Sequence, residues 1–325
     1  MKQLASTAAP DLRALETGHA AALGEIGGGS LAVSKRRRNV NASTFMSEIL
    51  TCRLANRREV RLLCKYGTEH NDESYGHRGG IGYEAAVYRE VVRSLPVPIA
   101  RYYGTFIDPS SGNTWLFLEY LEGSARIHET EDPAAAMYMA ADWIGRFHAA
   151  ITPEASASWP FLNRYDIQYY LGWVRRTSAF AAGLHGRFPW LAELCERAEE
   201  CFAPLLTAPP TIIHGEYYPK NILARAGSVY PVDWESAALA AGEIDLASLT
   251  EGWPEDTVQE CERAYQRARW PDGAPESFRR TFAAAQVYLL FRWLGDRPDW
   301  TTGVRSSRWL FEQLHAAAER LAVMA

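Results

Sequence analysis

The segment Thr211-Ile212-Ile213-His214-Gly215-Glu216-Tyr217-Tyr218-Pro219-Lys220-Asn221-Ile222-Leu223 carries the strongest local pattern in this 325-residue chain. A short apolar strand delivers His214 and a turn at Gly215, the carboxylate of Glu216 comes next, and the amide of Asn221 follows five positions later. A carboxylate in such a turn can face a hydroxyl group, and an amide oxygen can bind a hard cation. We therefore predict catalytic roles for His214 and Glu216 and a metal-binding role for Asn221.

A second acid follows twelve residues after Asn221, in Val229-Tyr230-Pro231-Val232-Asp233-Trp234-Glu235. The turn Ala226-Gly227-Ser228 predicts a hairpin, which we expect to bring Asp233 beside Asn221. Magnesium prefers oxygen ligands, with one or two carboxylates from the protein. Asp233 is therefore the predicted principal metal ligand.

Three ordered blocks resemble the aminoglycoside phosphotransferase and choline kinase family, whose pattern is H-G-D-x-x-x-x-N, then I-D-W, then D-L-A. They are His214-Gly215-Glu216 with Asn221, Val232-Asp233-Trp234, and Asp245-Leu246-Ala247. The resemblance implies an α+β, bilobal, protein-kinase-like fold and transfer of the γ-phosphoryl group of ATP to a hydroxyl, with Mg²⁺ as cofactor and GTP as the alternative donor. Asp245 is expected to cap the helix that starts there and to accept backbone N–H bonds from the catalytic loop.

One position departs from that pattern, because Glu216 stands where the family has aspartate. The extra methylene moves the carboxylate by about one C–C bond length, and a misplacement of that order can cost about 100-fold in rate. Phosphoryl transfer depends more on positioning and charge neutralisation than on proton abstraction, so we still predict an enzyme. The alternatives are a nucleotide-binding relative without activity and a metabolic kinase of choline or amino acids.

The resemblance also implies a nucleotide site in the first part of the chain. Lys65 ends the apolar strand Val60–Cys64, in the place of the lysine that pairs with phosphates, and Glu84 is its predicted partner, with Glu90 as the fallback. The phosphate-covering loop is expected at residues 39–47, which contain no glycine, so Ser43 and Thr44 are the predicted contacts. Residues 116–123 resemble the interlobe hinge, where Glu119 and Leu121 would meet adenine through their backbone groups.

The periodicity of the chain changes near residues 120–123. Before that point the sequence predicts strands at 30–33, 48–54, 60–65, 102–107 and 114–120, with one helix at 83–94. After it the sequence predicts helices at 133–150, 168–180, 190–206 and 275–294. We therefore predict a sheet-rich domain at 1–121 and a mostly helical domain at 122–325 that holds the catalytic loop. For residues 1–25 we predict a capping helix.

The acceptor is expected in the helical domain, where aromatic and acidic side chains could bind a polyhydroxylated or cationic molecule. The predicted contacts are Trp234, Glu235, Tyr169 and Trp173, and a wider lining would include Tyr165, Tyr170, Trp253, Glu255 and Asp256. A solvated helix face explains the acids equally well. An antibiotic-like or sugar-like hydroxyl ranks first, with choline-like and amino-acid-like acceptors behind it.

The composition excludes several other classes. A formal net charge of −5 and a pI near 6.0 argue against a nucleic-acid binder. Five cysteines without a C-x-x-C pair favour free thiols. Since neither a signal peptide nor a membrane span is apparent, we expect a cytoplasmic protein. Its expected oligomeric state is a monomer or a homodimer. The interval from Asp233 to Asp245 is too short for the activation segment of a protein kinase.

Overall fold

The computed structural model describes residues 10, 12–23, 32–40, 45–53, 58–67, 77–151, 158–184, 186–298, 301 and 306–323. The chain divides into two compact units. The first comprises Met1–Glu73, Gly79–Ser124 and Tyr230–Glu235, and the second comprises Ser74–Arg78, Ala125–Val229 and Ser236–Ala325. The segment around Asp233 thus groups with the first unit.

The first unit is built on a five-stranded antiparallel sheet in the order β1-β2-β3-β5-β4. The strands are β1 (Ala32–Arg38), β2 (Ser47–Arg53), β3 (Glu59–Tyr66), β4 (Tyr102–Ile107) and β5 (Thr114–Glu119). Helix α1 is Leu12–Leu23, and helix α2, Gly80–Ala86, continues as a π-helical turn, Val87–Val91, and a 3₁₀ turn, Val92–Ser94. The basic run at 35–38 forms most of β1, which therefore extends well beyond the strand predicted at 30–33.

Strand alternation decides which face of this sheet receives each side chain. Alternate residues of β2, β3 and β5 form one apolar cluster with residues of α1. Its members are Leu15, Ala22, Leu50, Cys52, Leu62, Cys64, Tyr66, Trp115 and Phe117. Helix α1 approaches closely at Gly104 of β4, where a Cβ would lie 2.3 Å from the Ala22 carbonyl oxygen. Since Lys65 lies between Cys64 and Tyr66 in β3, it points to the opposite face.

The second unit is mostly helical. Its helices are α3 (Pro133–Ala149), α4 (Ile167–Phe180), α5 (Trp190–Glu196), α6 (Ala198–Thr207), α7 (Glu243–Thr250), α8 (Glu255–Arg269), α9 (Phe278–Asp296) and α10 (Ser306–Val323). Its short strands are β6 (Ala125–Arg126), β7 (Asn163–Arg164), β8 (Pro210–Ile213), β9 (Ile222–Arg225) and β11 (Ala238–Ala241), and strand β10 (Ser228–Pro231) begins in this unit and ends in the first. They form two three-stranded sheets in the orders β10-β9-β6 and β7-β11-β8.

Local signals explain several helix ends. Asp132 caps α3 by accepting a hydrogen bond from the Ala135 N–H at 3.0 Å, and Asp166 caps α4 by accepting one from Tyr169 at 2.8 Å. Helix α9 is buried along nearly its whole length, so its sequence shows little amphipathic periodicity. The helix predicted at 190–206 is two helices that meet at Arg197.

All five cysteines are free thiols, as the sequence predicts. Within the described ranges, no helix combines the length and apolar character needed to span a bilayer.

Candidate active site

Lys65 is the centre of a buried charge cluster in the first unit. Its Nζ donates to both carboxylate oxygens of Glu84 at 2.8 Å, so the predicted ion pair is present, and it also donates to Oδ1 of Asp233. Glu84 is fully buried in α2, whereas Glu90 is exposed and pairs with Arg89. We call Lys65, Glu84 and Asp233 the Lys65 cluster.

Asp233 has an unusual backbone conformation, with φ of +67°, a left-handed value that non-glycine residues rarely adopt. The next residue holds this turn in place, because the Trp234 backbone N–H donates to Glu84 at 3.4 Å and its indole N–H donates to the Pro231 carbonyl at 3.3 Å. The Asp233 side chain is 38% exposed, whereas that of Lys65 is 11% exposed. Asp233 is thus the accessible member of the cluster.

The charges within this cluster are strongly coupled. Burial alone would lower the pKa of Lys65, but the carboxylates of Asp233 and Glu84 outweigh burial and raise that pKa. Lys65 is therefore charged at neutral pH.

The backbone of the predicted catalytic loop is held by Asp245 in the second unit. Its carboxylate accepts hydrogen bonds from the His214 and Gly215 N–H groups at 2.6 and 2.9 Å, which confirms this predicted contact. The predicted cap is wrong, because α7 begins two residues earlier and Asp245 lies inside its first turn. His148 contacts the same carboxylate through Nε2 at 3.3 Å, and its Nδ1 lies 3.0 Å from the Tyr265 hydroxyl. Burial lowers the pKa of His148 to about 4.

Gly215 is required by the turn that follows β8. Its φ is +80°, and an added Cβ would lie 2.1 Å from the Ser236 carbonyl oxygen. The adjacent His214 is fully buried, and its Nδ1 accepts a hydrogen bond from the Glu216 N–H at 3.3 Å. His214 therefore shapes the loop.

Glu216 is enclosed by cationic side chains. Its Oε1 accepts hydrogen bonds from Arg78 at 2.8 Å and from Arg292 at 2.7 Å, and His77 Nε2 lies 3.6 Å from the same oxygen. Burial opposes ionisation of Glu216, but the neighbouring His77 imidazole and the charges of Arg292 and Arg78 outweigh it and hold its pKa well below the usual range. We call Glu216, Arg78 and Arg292 the Glu216 cluster.

Sequence reasoning missed both arginines. Arg292 lies in the apolar run Tyr288-Leu289-Leu290-Phe291-Arg292-Trp293-Leu294 of α9 and is only 5% exposed. A lone charge in a buried helix needs a partner, so this run did contain a signal for a buried carboxylate. Arg78 carried no such signal, because it lies in an irregular segment.

Asn221 ends the 3₁₀ turn Pro219–Asn221, directly before β9. Its Nδ2 donates to the Glu216 carbonyl at 3.0 Å. Because the amide nitrogen is the atom engaged, the side-chain oxygen is the atom that can accept a cation. An amide oxygen, like the Asp233 carboxylate in the first unit, is a hard ligand of the kind that Mg²⁺ prefers. Within the described ranges, no group of three or more His, Cys, Asp or Glu side chains is arranged to hold a metal by itself.

The other predicted nucleotide contacts are only partly described. Ser43 and Thr44 lie outside the described residues. At the end of β5, the Glu119 N–H donates to the Arg101 carbonyl at 2.8 Å. The Leu121 carbonyl accepts from the Ser124 hydroxyl at 2.7 Å, so only its N–H could reach a nucleotide without breaking that turn.

The predicted acceptor residues differ in accessibility. Trp234 is fully buried in the first unit and offers no surface to an acceptor in this conformation, and Glu235 is buried beside it. Tyr169 is half-buried in α4, stacks on Tyr165 with ring centroids 3.8 Å apart, and has its hydroxyl 3.1 Å from that of Tyr288. Trp173 is fully buried, and its ring lies 5.4 Å from that of His77. Glu255 and Asp256 are exposed in the first turn of α8.

Known proteins share this architecture. The chain resembles a macrolide 2′-phosphotransferase from Brachybacterium faecium, with a TM-score of 0.55 and 17% identity over 93% of this chain and 98% of that one. A choline/ethanolamine kinase family protein from Mesorhizobium loti gives 0.55 and 14% over 89% and 90%, and a GDP complex of aminoglycoside 2′-phosphotransferase-IIIa gives 0.54 and 13% over 97% and 100%. None of the curated proteins compared with this sequence matches it.

The model of the phosphotransferase enzyme family (APH) matches residues 73–279, which is more than half of the chain and includes Glu84 and the whole catalytic loop. The structural neighbours are small-molecule kinases with the same α+β, protein-kinase-like architecture, which confirms the predicted fold class. The chain therefore belongs to the phosphotransferase enzyme family.

Proposed function

We propose that the protein transfers the γ-phosphoryl group of ATP to a hydroxyl group of a small-molecule acceptor. The observation that carries this proposal is the Lys65 cluster, in which one buried lysine is held by a fully buried glutamate and by an accessible aspartate in a left-handed turn. An ordinary structural ion pair needs only one carboxylate per lysine. A second, exposed carboxylate beside the same ammonium suits a site that exchanges partners when a charged ligand binds.

In the proposed reaction, Lys65 neutralises the α- and β-phosphates, and Glu84 fixes the position of the ammonium group. The Lys65 Nζ donates to both carboxylate oxygens of Glu84 at 2.8 Å, which leaves the lysine little rotational freedom. Nucleotide phosphates would replace Asp233 as the second partner of Lys65 and so release the Asp233 carboxylate. Glu119 and Leu121 would meet the base through backbone groups, and Ser43 and Thr44 remain the proposed phosphate contacts.

Asp233 and Asn221 are the proposed magnesium ligands. The ion, when bound, would neutralise charge on the phosphate oxygens. The chain would contribute the Asp233 carboxylate, whose side chain is 38% exposed, and one amide oxygen whose orientation is set by the hydrogen bond to the Glu216 carbonyl. Mg²⁺ bound to nucleotide phosphates commonly takes only one or two carboxylates from the protein.

Glu216 is proposed to accept a hydrogen bond from the acceptor hydroxyl and to orient it for attack. Its depressed pKa keeps it ionised, which suits orientation more than proton storage. His214 supports this residue through the loop backbone.

For the acceptor, we rank an antibiotic-like or sugar-like hydroxyl first and choline-like or amino-acid-like alcohols second. The half-buried Tyr169 supports an acceptor with a flat or sugar-like face, because its ring is already stacked in parallel with Tyr165. Macrolide, aminoglycoside and choline or ethanolamine chemistry appear in the names of the relatives, so these compounds define the screen.

The test is a phosphate-transfer screen with Mg²⁺ and ATP or GTP against aminoglycosides, macrolides, nucleoside antibiotics, choline and amino alcohols. We expect nucleotide consumption that rises with one acceptor class and falls by about 1,000-fold in Asp233→Ala, the upper range for loss of one preorganised electrostatic group. Asp272→Ala is the matched control, because that aspartate is exposed.

Two outcomes would contradict the proposal. Thermal stabilisation by ATP and magnesium without turnover of any acceptor would indicate a nucleotide-binding relative that has lost activity. Neither stabilisation nor turnover would remove the nucleotide site altogether.

A further inference from the structure

The contacts of Glu216 are distributed unequally between its two carboxylate oxygens. The hydrogen bonds that the described residues make to this side chain all end on Oε1, from Arg78 at 2.8 Å and Arg292 at 2.7 Å. A carboxylate has two oxygens with about four acceptor positions in all, so this arrangement occupies one oxygen and leaves Oε2 for another donor.

Arg292 holds more than the carboxylate. Its Nη1 donates to the Gly215 carbonyl at 2.6 Å, while its Nη2 donates to Glu216 Oε1. The rigid guanidinium fork therefore fixes the distance between the loop backbone and the end of the Glu216 side chain. Glutamate has one more rotatable side-chain bond than aspartate. The guanidinium fork restricts rotation about the bonds of Glu216 and so offsets that additional conformational freedom.

From these contacts we propose that Arg292 is a positioning residue for phosphoryl transfer: with Arg78 it holds Oε1 of Glu216 so that Oε2 faces the acceptor hydroxyl. The proposal rests on the proposed function. It explains how glutamate can stand where the family pattern has aspartate, because the fork sets the carboxylate position that a shorter side chain would reach by itself. No bond is made or broken by Arg292.

The arrangement makes a counter-intuitive prediction about Glu216→Asp. Restoring the residue type of the family pattern should lower kcat by about 10- to 100-fold, because the shorter side chain withdraws the carboxylate from the fork by about one C–C bond. If the fork were only structural, the aspartate variant would match or exceed the wild type.

The second arm removes the fork. Arg292→Met should lower kcat by about 100-fold with the KM for ATP nearly unchanged, and Arg292→Lys should recover part of the loss, because lysine restores the charge without the fork. Arg176→Met is the matched control, since Arg176 binds the Gly295 and Asp296 carbonyls at the end of the same helix without contacting Glu216. Thermal unfolding with and without ATP verifies that each variant is folded.

The split between kcat and KM, together with rescue by Arg292→Lys, provides a readout that a purely structural arginine would not change. A variant that had lost only packing would lose stability, and the positive charge of lysine would not restore its kcat.

All assays use full-length protein with Mg²⁺-ATP and the most active acceptor of the screen. Wild-type turnover together with an Arg292→Met kcat equal to that of the wild type would overturn the positioning role alone. Absence of wild-type turnover with every acceptor would overturn the proposed function and this inference together. If Arg292→Met does not fold, the Glu216→Asp result decides.

Discussion

The Lys65 cluster and the Glu216 cluster have opposite charge arrangements. In the first, one buried ammonium is shared by two carboxylates, and in the second, one buried carboxylate is shared by two guanidinium groups. Asp233 of the first cluster is 38% exposed, whereas the Glu216 side chain is 9% exposed. In the proposed reaction the accessible Asp233 carboxylate leaves Lys65 when a ligand arrives, whereas the buried Glu216 carboxylate keeps its cationic partners, because an unpaired buried charge is costly.

This difference separates a group that changes partners from a group that must stay in place. A buried ion pair adds little net stability, because desolvation offsets most of the attraction. We therefore expect both clusters to act by holding a side chain in position: Glu84 fixes the lysine, and Arg292 fixes the glutamate. The predictions below test this contrast.

The largest effect is expected at the shared ammonium. Lys65→Met should lower kcat/KM by about 1,000-fold, since it removes the charge that neutralises the phosphates and leaves Glu84 buried without a cation. Steady-state kinetics with ATP measures this loss. Lys35→Met is the control, because Lys35 is exposed in the same sheet, and an equal loss there would contradict a specific role for Lys65.

The next prediction concerns the pH dependence of stability in the second unit. His148, which supports the catalytic loop through Asp245, has a pKa of about 4 in the folded protein, below its ordinary value of about 6.5. The folded state thus binds fewer protons than the unfolded state, and about 3 kcal/mol of stability present above pH 6.5 should be lost as the pH falls to 4.

Urea unfolding across that range measures the slope. The slope should shrink in His148→Gln and persist in His128→Gln, because His128 is exposed. A slope that is unchanged in His148→Gln would show that this imidazole does not report on the folded loop.

A smaller effect is expected for the residue that positions the lysine. Glu84→Gln should lower kcat/KM by about 10- to 100-fold, as is usual for groups that orient a functional residue without touching the substrate. Glu90→Gln should leave the rate near that of the wild type. A comparable loss in both variants would indicate damage to the helix rather than to the Lys65 cluster.

The smallest effect concerns the hairpin that leads from Asn221 to Asp233. Ala226 and Gly227 both have positive φ, at 49° and 75°, in the two-residue loop between β9 and β10. Asparagine adopts this conformation more readily than alanine, so Ala226→Asn should raise the free energy of unfolding by about 0.5 to 1 kcal/mol. Urea unfolding tests this, and a destabilised variant would contradict the turn geometry.

Several parts of the fold could be predicted because the signal was local. The strand at Val60–Lys65 is apolar and β-branched in part, and the hairpin after Asn221 has a glycine-containing turn, so both appear in the structure near their expected positions. Helix α8 was not predicted, because its charged sequence packs through a narrow face that depends on its neighbours. The first strand was misjudged because arginines on an edge strand resemble a loop.

Within the candidate site, the order of motifs along the chain suggested His214, Glu216, Asn221, Asp233 and Asp245 as candidates. The partners of these side chains became known only from the tertiary structure. The acceptor prediction was weaker. Aromatic residues such as Trp234 and Trp173 are buried, and composition does not distinguish a ring in the core from a ring that lines a site.

The order and spacing of His214, Glu216, Asn221, Asp233 and Asp245 are properties of the chain, and by themselves they indicated the family and the fold class. Only the tertiary structure decided that Asp233 shares its charge with Lys65 and that Arg78 and Arg292 converge on a single oxygen of Glu216. The reason is physical: periodicity along a chain specifies which face of an element is buried, but the meeting of charges more than 70 residues apart depends on how those buried faces pack.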